Sequence, residues 1–301
     1  MWALVLGLSC APSAGTDTGV DDDEPRRWSY VAQGAWEVCA IDTQGVIDCM
    51  PPLEHEIVDD CYTADLSNPP IGNYVSVVMT HPLGFECAEV ACARRTEGGI
   101  DCWGWSDYHS DIDYSLVHPS TYDSCGLDPT GARRCWSASG SVYFPDREGV
   151  VAFASSALDM VEVDNSGITT RTSALDGDTA ILETGGAWTR VEMSWEGLVC
   201  GLHVDGSVSC AIDGEWAGAP AQAPAPRAGP FTDLCAAATQ DVCALREDGS
   251  PECWSADAEV DAPAGPFTQI TCGTDSFCGL TPKGAIECWG DCDSGECRVP
   301  K

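Results

Sequence analysis

Short apolar runs alternate with polar bends along this chain, most plainly in Cys278-Gly-Leu-Thr-Pro-Lys-Gly284-Ala-Ile-Glu-Cys288-Trp-Gly290. Two strand-like alternations flank a bend at Thr281 to Gly284, which predicts a β-hairpin with its cysteines facing each other. The unit C-x5-G-x3-C recurs as Cys39–Gly45–Cys49, Cys92–Gly98–Cys102, Cys125–Gly131–Cys135, Cys200–Gly206–Cys210 and Cys243–Gly249–Cys253. A seventh copy, Val161 to Arg171, keeps Gly167 and has neither cysteine. The residue two past the first cysteine is apolar except at Arg94, and Trp follows the second cysteine at Trp103, Trp136, Trp254 and Trp289.

The copies start 33 to 53 residues apart. A period in this range denotes a solenoid, propeller or array, whose single unit cannot bury its apolar face alone. Upstream of the hairpins lie further strand-like runs, such as Trp188 to Val191, Phe231 to Leu234 and Phe267 to Ile270. Gly229-Pro230 and Gly265-Pro266 precede the last two, and no unit contains an amphipathic helix. Radial blades of up to four strands fit these units, and closing the ring removes exposed sheet edges. An all-β, seven-bladed β-propeller over residues 28–301 is expected.

With these residues in view, the string from Gly265-Pro266-Phe267 through Cys278-Gly-Leu, Gly284 and Cys288-Trp-Gly290 resembles the regulator of chromosome condensation repeat. It is most similar to the cysteine-bearing bacterial form, and the likeness runs from about Trp28 to Pro300. The resemblance implies a seven-bladed propeller, in agreement with the count of copies. The family's functions range over nucleotide exchange on a small GTPase, chromatin docking and, in a secreted bacterial member, β-lactamase inhibition. Fold therefore does not settle activity.

Residues 1–10 form an apolar run ending in Cys10, similar to a bacterial lipoprotein signal with Cys10 as the lipidated residue. No basic residue precedes the run, and Gly7 stands where Leu is usual. Residues 11–27, which include Asp21-Asp-Asp-Glu24, read as an acidic flexible tether. The whole chain has 14 Lys and Arg against 48 Asp and Glu, a formal net charge of −34. Its basic residues form no cluster larger than a pair, so no nucleic-acid partner is expected.

Setting Cys10 aside leaves an even number of cysteines at regular spacing, which implies an oxidising, exported location in the cell envelope. Beyond the hairpin pairs, Cys292 and Cys297 could close a small loop, Cys235 and Cys272 could bridge adjacent blades, and Cys61 could pair with Cys87. Zinc at Cys288, Cys292 and Cys297 is disfavoured because Cys288 already has a partner. Calcium at Asp291, Asp293 and Glu296, or at Asp107, Asp111 and Asp113, lacks the EF-hand pattern. No metal or other cofactor is expected.

The five histidines share no motif with a nucleophile, and His203 reads as a surface residue of its hairpin. No catalytic residue is expected, and the chain reads as a non-enzyme. The strongest departure from the repeat is Trp103 to Tyr114, where Trp105, Tyr108 and Tyr114 are candidate binding aromatics. The expected function is a monomeric binding or scaffold module for an unknown protein partner, touching the membrane only through its lipid. Inhibition of a secreted or periplasmic hydrolase and carbohydrate or cell-wall binding are the alternatives.

Overall fold

The computed structural model describes residues 26–300 except 36, 51–65, 81–88, 106, 121, 138–139, 141, 157–158, 195–196, 213–221, 238–239 and 293–296. Seven antiparallel sheets, each a meander of consecutive strands, form a seven-bladed β-propeller. Blade one holds Trp28–Gln33, Val38–Asp42 and Ile47–Met50; blade two holds Tyr74–Met79, Val90–Arg95, Ile100–Gly104 and Tyr108–Ser110. Blade three holds Leu116–His118, Ser124–Leu127, Ala132–Trp136 and Arg147–Glu148; blade four holds Val150–Ser155, Asp159–Asp164, Thr169–Ser173 and Thr179–Ile181. Blade five holds Trp188–Met193, Leu198–His203 and Val208–Ile212, and blade six holds Phe231–Ala236, Val242–Arg246, Pro251–Trp254 and Glu259–Val260. Gln269–Cys272, Ser276–Leu280 and Ile286–Gly290 complete blade seven.

The first strand of every blade lines a central channel. Five of these strands begin with a register shift, as between Trp28 and Tyr30 or between Phe231 and Asp233. Such a bulge leaves a carbonyl of the neighbouring strand without its ladder donor. Hydroxyls supply the donor: Thr189 to the Leu202 carbonyl (2.9 Å), Thr232 to Leu245 (3.2 Å) and Ser29 to Ile41 (3.1 Å). An aromatic followed by Ser or Thr accompanies three of these bulges, at Trp28, Trp188 and Phe231.

The repeat glycine has two jobs. In all seven copies its φ is positive, from +77° at Gly206 to +96° at Gly98, where a Cβ would be strained. In five of the seven copies its carbonyl also accepts the first amide of the following blade, as from Tyr74 to Gly45 (2.8 Å), Phe231 to Gly206 (2.9 Å) and Phe267 to Gly249 (2.7 Å). The same bond closes the ring, from the Trp28 amide to Gly284 (2.9 Å). At that seam the Gln269 side chain also bridges the Val31 amide (3.1 Å) and carbonyl (2.8 Å).

The main core clusters join neighbouring blades. Ile41 and Ile47 of blade one meet Tyr74, Val77 and Trp103 of blade two, and Trp28, Val31 and Val38 meet Cys278 and Leu280 across the closing seam. No blade could bury its faces alone, which is the energetic reason that the ring closes.

All six C-x5-G-x3-C hairpins carry a disulfide between directly opposed cysteines, with Cα atoms 4.0–4.1 Å apart. Cys235–Cys272 joins the first strands of blades six and seven, and Cys292–Cys297 closes a loop near the C-terminus. Cys10, Cys61 and Cys87 lie outside the described residues. In blade four Val161 opposes Arg171 where the cysteines would stand. Arg171 pairs with buried Asp159 (2.6 Å), and buried Glu162 takes Arg133 (2.5 Å) and Arg147 (2.8 Å) from blade three. The copy without cysteines is braced by buried ion pairs.

Candidate functional site

Because strands alternate in direction, the two faces of the ring are built from different connections. The turns between second and third strands share one face with the links that enter each new blade. These turns are short and alike, and many are fastened by an aspartate. Thr130 donates to Asp128 (2.5 Å), and Ser166, Ser207 and Ser250 donate to Asp164, Asp205 and Asp248 (2.6 Å each). These hydroxyls are the main reason that the four carboxyls sit below their ordinary range, Asp128 at about 2. These four of the 48 acidic residues are therefore accounted for by turn chemistry.

The opposite face carries the connections after first and third strands, and their lengths follow no repeat: 34–37 in blade one, 80–89 in blade two, 119–123 and 137–146 in blade three. Here Trp105 stands 56 % exposed and Tyr143 55 % exposed, on neighbouring blades. Asp123 accepts the backbone amides of Tyr143 (2.6 Å) and Phe144 (2.8 Å), and Tyr122 meets the Tyr143 ring edge-on at 5.9 Å. Burial raises the Asp123 carboxyl above its usual range, although both amides and Arg133 oppose the shift. This aspartate pins the loop that presents Tyr143.

The three aromatics proposed from the sequence separate. Trp105 is on the surface, whereas Tyr108 stacks on Trp136 at 4.4 Å and Tyr114 is buried against the same ring at 5.4 Å. Tyr114 occupies the position where six of the seven blades open with an aromatic, and its ring covers Gly126, where a Cβ would lie 2.5 Å from it. It is a packing residue, unavailable to a partner in this structure. Tyr143 had no motif to mark it, because its exposure depends on how Asp123 holds the loop.

The acids of blade two are largely committed as well. Asp101 accepts from Tyr74 (2.9 Å) and Arg95 (2.7 Å) and meets His109 (2.5 Å), while Asp111 pairs with Arg95 (3.1 Å). Asp107 lies in an open hollow with Asn68, Pro70 and Trp103. Among the described residues no three His, Cys, Asp or Glu side chains gather as a metal site, and Asp293 and Glu296 lie outside those residues. His203 is not a free surface residue: it packs edge-on against Trp188 at 6.4 Å, with Nε2 2.7 Å from the Ser209 hydroxyl.

The channel, about 510 Å³, is the other recessed surface. Its wall is uneven. Blades two to four contribute Val78, Leu116 and Ala152, whereas blades five and one contribute Arg190, Glu192 and Tyr30, with Asp233 of blade six beside Arg190. Arg190 pairs with Glu192 (3.0 Å) and with Asp233. Burial opposes the Arg190 charge, but the two carboxylates more than restore it. Burial also raises the Glu192 carboxyl and the Tyr30 hydroxyl above their usual ranges.

No family model matches the chain, and no curated protein matches it. Solved propellers do. The CRINKLY WD40 ectodomain of the Arabidopsis thaliana receptor kinase ACR4 superposes with a TM-score of 0.60 at 16 % identity, covering 88 % of this chain and 96 % of that one. The ectodomain of the Physcomitrella patens receptor kinase CR4 gives 0.56 at 20 %, covering 87 % and 72 %. Prp20p of Saccharomyces cerevisiae gives 0.55 at 12 %, covering 81 % and 80 %. Identities this low establish the fold alone.

Proposed function

We propose that this chain is an exported, non-enzymatic recognition module of a bacterial envelope, tethered through a lipid on Cys10 and binding a protein partner with its loop-bearing face. The observation that carries this reading is the exposure of Trp105 and Tyr143, with Val142 beside Tyr143, on neighbouring blades of that face. Large amphipathic rings supply much of the binding energy at protein interfaces. The other aromatics of the repeat are spent on packing, as Trp188, Phe231 and Trp254 illustrate. Eight disulfides among the described residues support export to an oxidising compartment. The likeness to the cysteine-bearing bacterial form of the regulator of chromosome condensation repeat supports the same compartment. Two of the similar propellers are receptor ectodomains.

The test is cross-linking capture from host envelope fractions, with residues 28–301 as bait and a second bait carrying Trp105→Ala and Tyr143→Ala. One abundant protein that is captured by the first bait and lost from the second supports the reading. Capture that ignores the double variant removes this face from consideration, and recovery of glycan alone would favour wall binding. A protruding aromatic pair also suits insertion into an enzyme cleft, so inhibition of a captured hydrolase would assign the inhibitor role within the same reading.

A further inference from the structure

Aligned on their opening aromatic or Val150, the first strands place Tyr30, Ser76, Leu116, Ala152, Arg190, Asp233 and Gln269 at one level of the ring. Two residues further on stand Ala32, Val78, His118, Ala154, Glu192, Cys235 and Thr271. Of these, Gln269 and Thr271 are committed to blade one, through Val31 and the Gln33 amide (3.1 Å). Carboxylates and guanidinium are confined to blades five and six at these two levels, and nothing in the repeat requires them there.

The cluster is not balanced internally. One guanidinium faces two carboxylates, bonding Glu192 through Nε and Asp233 through Nη1. The second Glu192 oxygen and the Tyr30 hydroxyl make no hydrogen bond among the described residues. The Arg94 charge acts on Tyr30 from blade two, but its guanidinium reaches the Tyr114 carbonyl (3.5 Å). We propose that the channel binds a ligand bearing a primary ammonium group, held by Glu192 and Tyr30, while Asp233, whose oxygens already accept from Arg190 and from the Leu234 and Ile270 amides, adds negative charge from behind. The ammonium supplies the missing positive charge, and the Tyr30 ring adds a cation–π face. The apolar wall of Val78, Leu116 and Ala152 takes an alkyl chain, for which the channel has ample room. The net charge of −34 draws cations towards the mouth.

Burial that raises the Glu192 carboxyl makes proton and ammonium competitors for one site. Affinity should therefore rise with pH until Glu192 is fully ionised. Arg190 and Asp233 face that carboxyl, Tyr30 and Arg94 lie beyond, and His118 stands at the same level in blade three, so protonation of His118 acts in the same direction.

The experiment is NMR titration of the oxidised full chain with n-butylammonium, with n-butanol as the neutral analogue of similar shape. Saturable binding is expected with at least a tenfold preference over n-butanol, weakening as the pH is lowered. Glu192→Gln should weaken it at least tenfold and reduce its pH dependence. A parallel arm uses Nα-acetyl-lysine amide: binding as tight as n-butylammonium assigns the site to a lysine side chain of a docked protein. Binding of the free amine alone assigns it to a small molecule. No saturable binding of n-butylammonium, or equal binding of n-butanol, overturns the proposal. The comparison with n-butanol and the pH series use the unaltered protein, so they decide the matter even if Glu192→Gln misfolds.

Discussion

Blade six and blade four solve the same problem differently. In blade six Cys243 and Cys253 oppose each other across the hairpin and are bonded, with Cα atoms 4.1 Å apart. In blade four the same pair of places holds Val161, buried against Trp188, and Arg171, which turns to Asp159. Its neighbour Glu162 stands where six blades have Gly or Ala (Ala40, Ala93, Gly126, Gly201, Ala244 and Gly279), and it reaches across to Arg133 and Arg147. The two devices act on different states. A ten-residue disulfide loop constrains mainly the unfolded chain, whereas Glu162 joins two blades in the folded one. A buried carboxylate of this kind depends on both of its partners remaining in place.

The sharpest way to break that comparison is full reduction. Six ten-residue loops at about 2–3 kcal/mol each are comparable to or larger than the usual stability of a domain. Excess reductant should unfold the ring at room temperature, as read by near-ultraviolet circular dichroism, and a shift of only a few degrees in Tm would show that packing alone suffices. Next in size is Glu162→Gln, expected to cost about 3–5 kcal/mol in urea unfolding because it weakens the pairing of two buried or half-buried arginines. Replacing Cys243 and Cys253 together by Ser should cost about 2–3 kcal/mol. The converse pair, Val161→Cys with Arg171→Cys, should gain less than that, since it takes Arg171 away from Asp159; a gain of the full amount would mean that the ion pair contributes nothing.

Smaller still is the glycine the two blades share. Gly249→Ala would bring a Cβ to 2.7 Å from the Phe267 carbonyl, and Gly167→Ala would bring one to 2.7 Å from the Ala187 Cβ. Both also force a positive φ on alanine, so each should lose about 1–2 kcal/mol or more, with Gly249 the worse because backbone cannot yield. The smallest effect is acid. Asp164 in blade four and Asp248 in blade six are lowered by the same kind of hydroxyl bond. A carboxyl lowered on folding stabilises above its unfolded pKa of about 4 and loses that contribution as pH falls through the folded value. Both turns should weaken alike from about pH 4 downwards, and Asp128, at about 2, should hold out longest. Side-chain NMR titration of these carboxyls checks the order.

How much of this was legible beforehand depends on distance along the chain. The hairpin, its glycine and its cysteine pair fall within about a dozen residues, and local alternation fixes them. The Cys235–Cys272 bridge was legible only through the equivalence of successive copies. Tyr114 was misjudged as a binding aromatic, and Tyr108 is half-covered, because both pack on Trp136, which stands on the third strand of blade three, well beyond either in the sequence. The buried ion pairs of blade four had no signature either, since Glu162 and its partners Arg133 and Arg147 lie on different blades and no spacing relates them.

The sequence by itself determined the repeat, its count and the cross-links inside six of its seven hairpins, because these follow from period-two alternation, turn chemistry and cysteines ten residues apart. Only the tertiary structure decided which aromatics are free and which charges share the channel. Tyr30, Arg190 and Asp233 come from blades one, five and six, and no pattern along the chain relates them. They meet because closing a ring brings the first strand of every blade to one axis, a consequence of the whole closure and of no single segment.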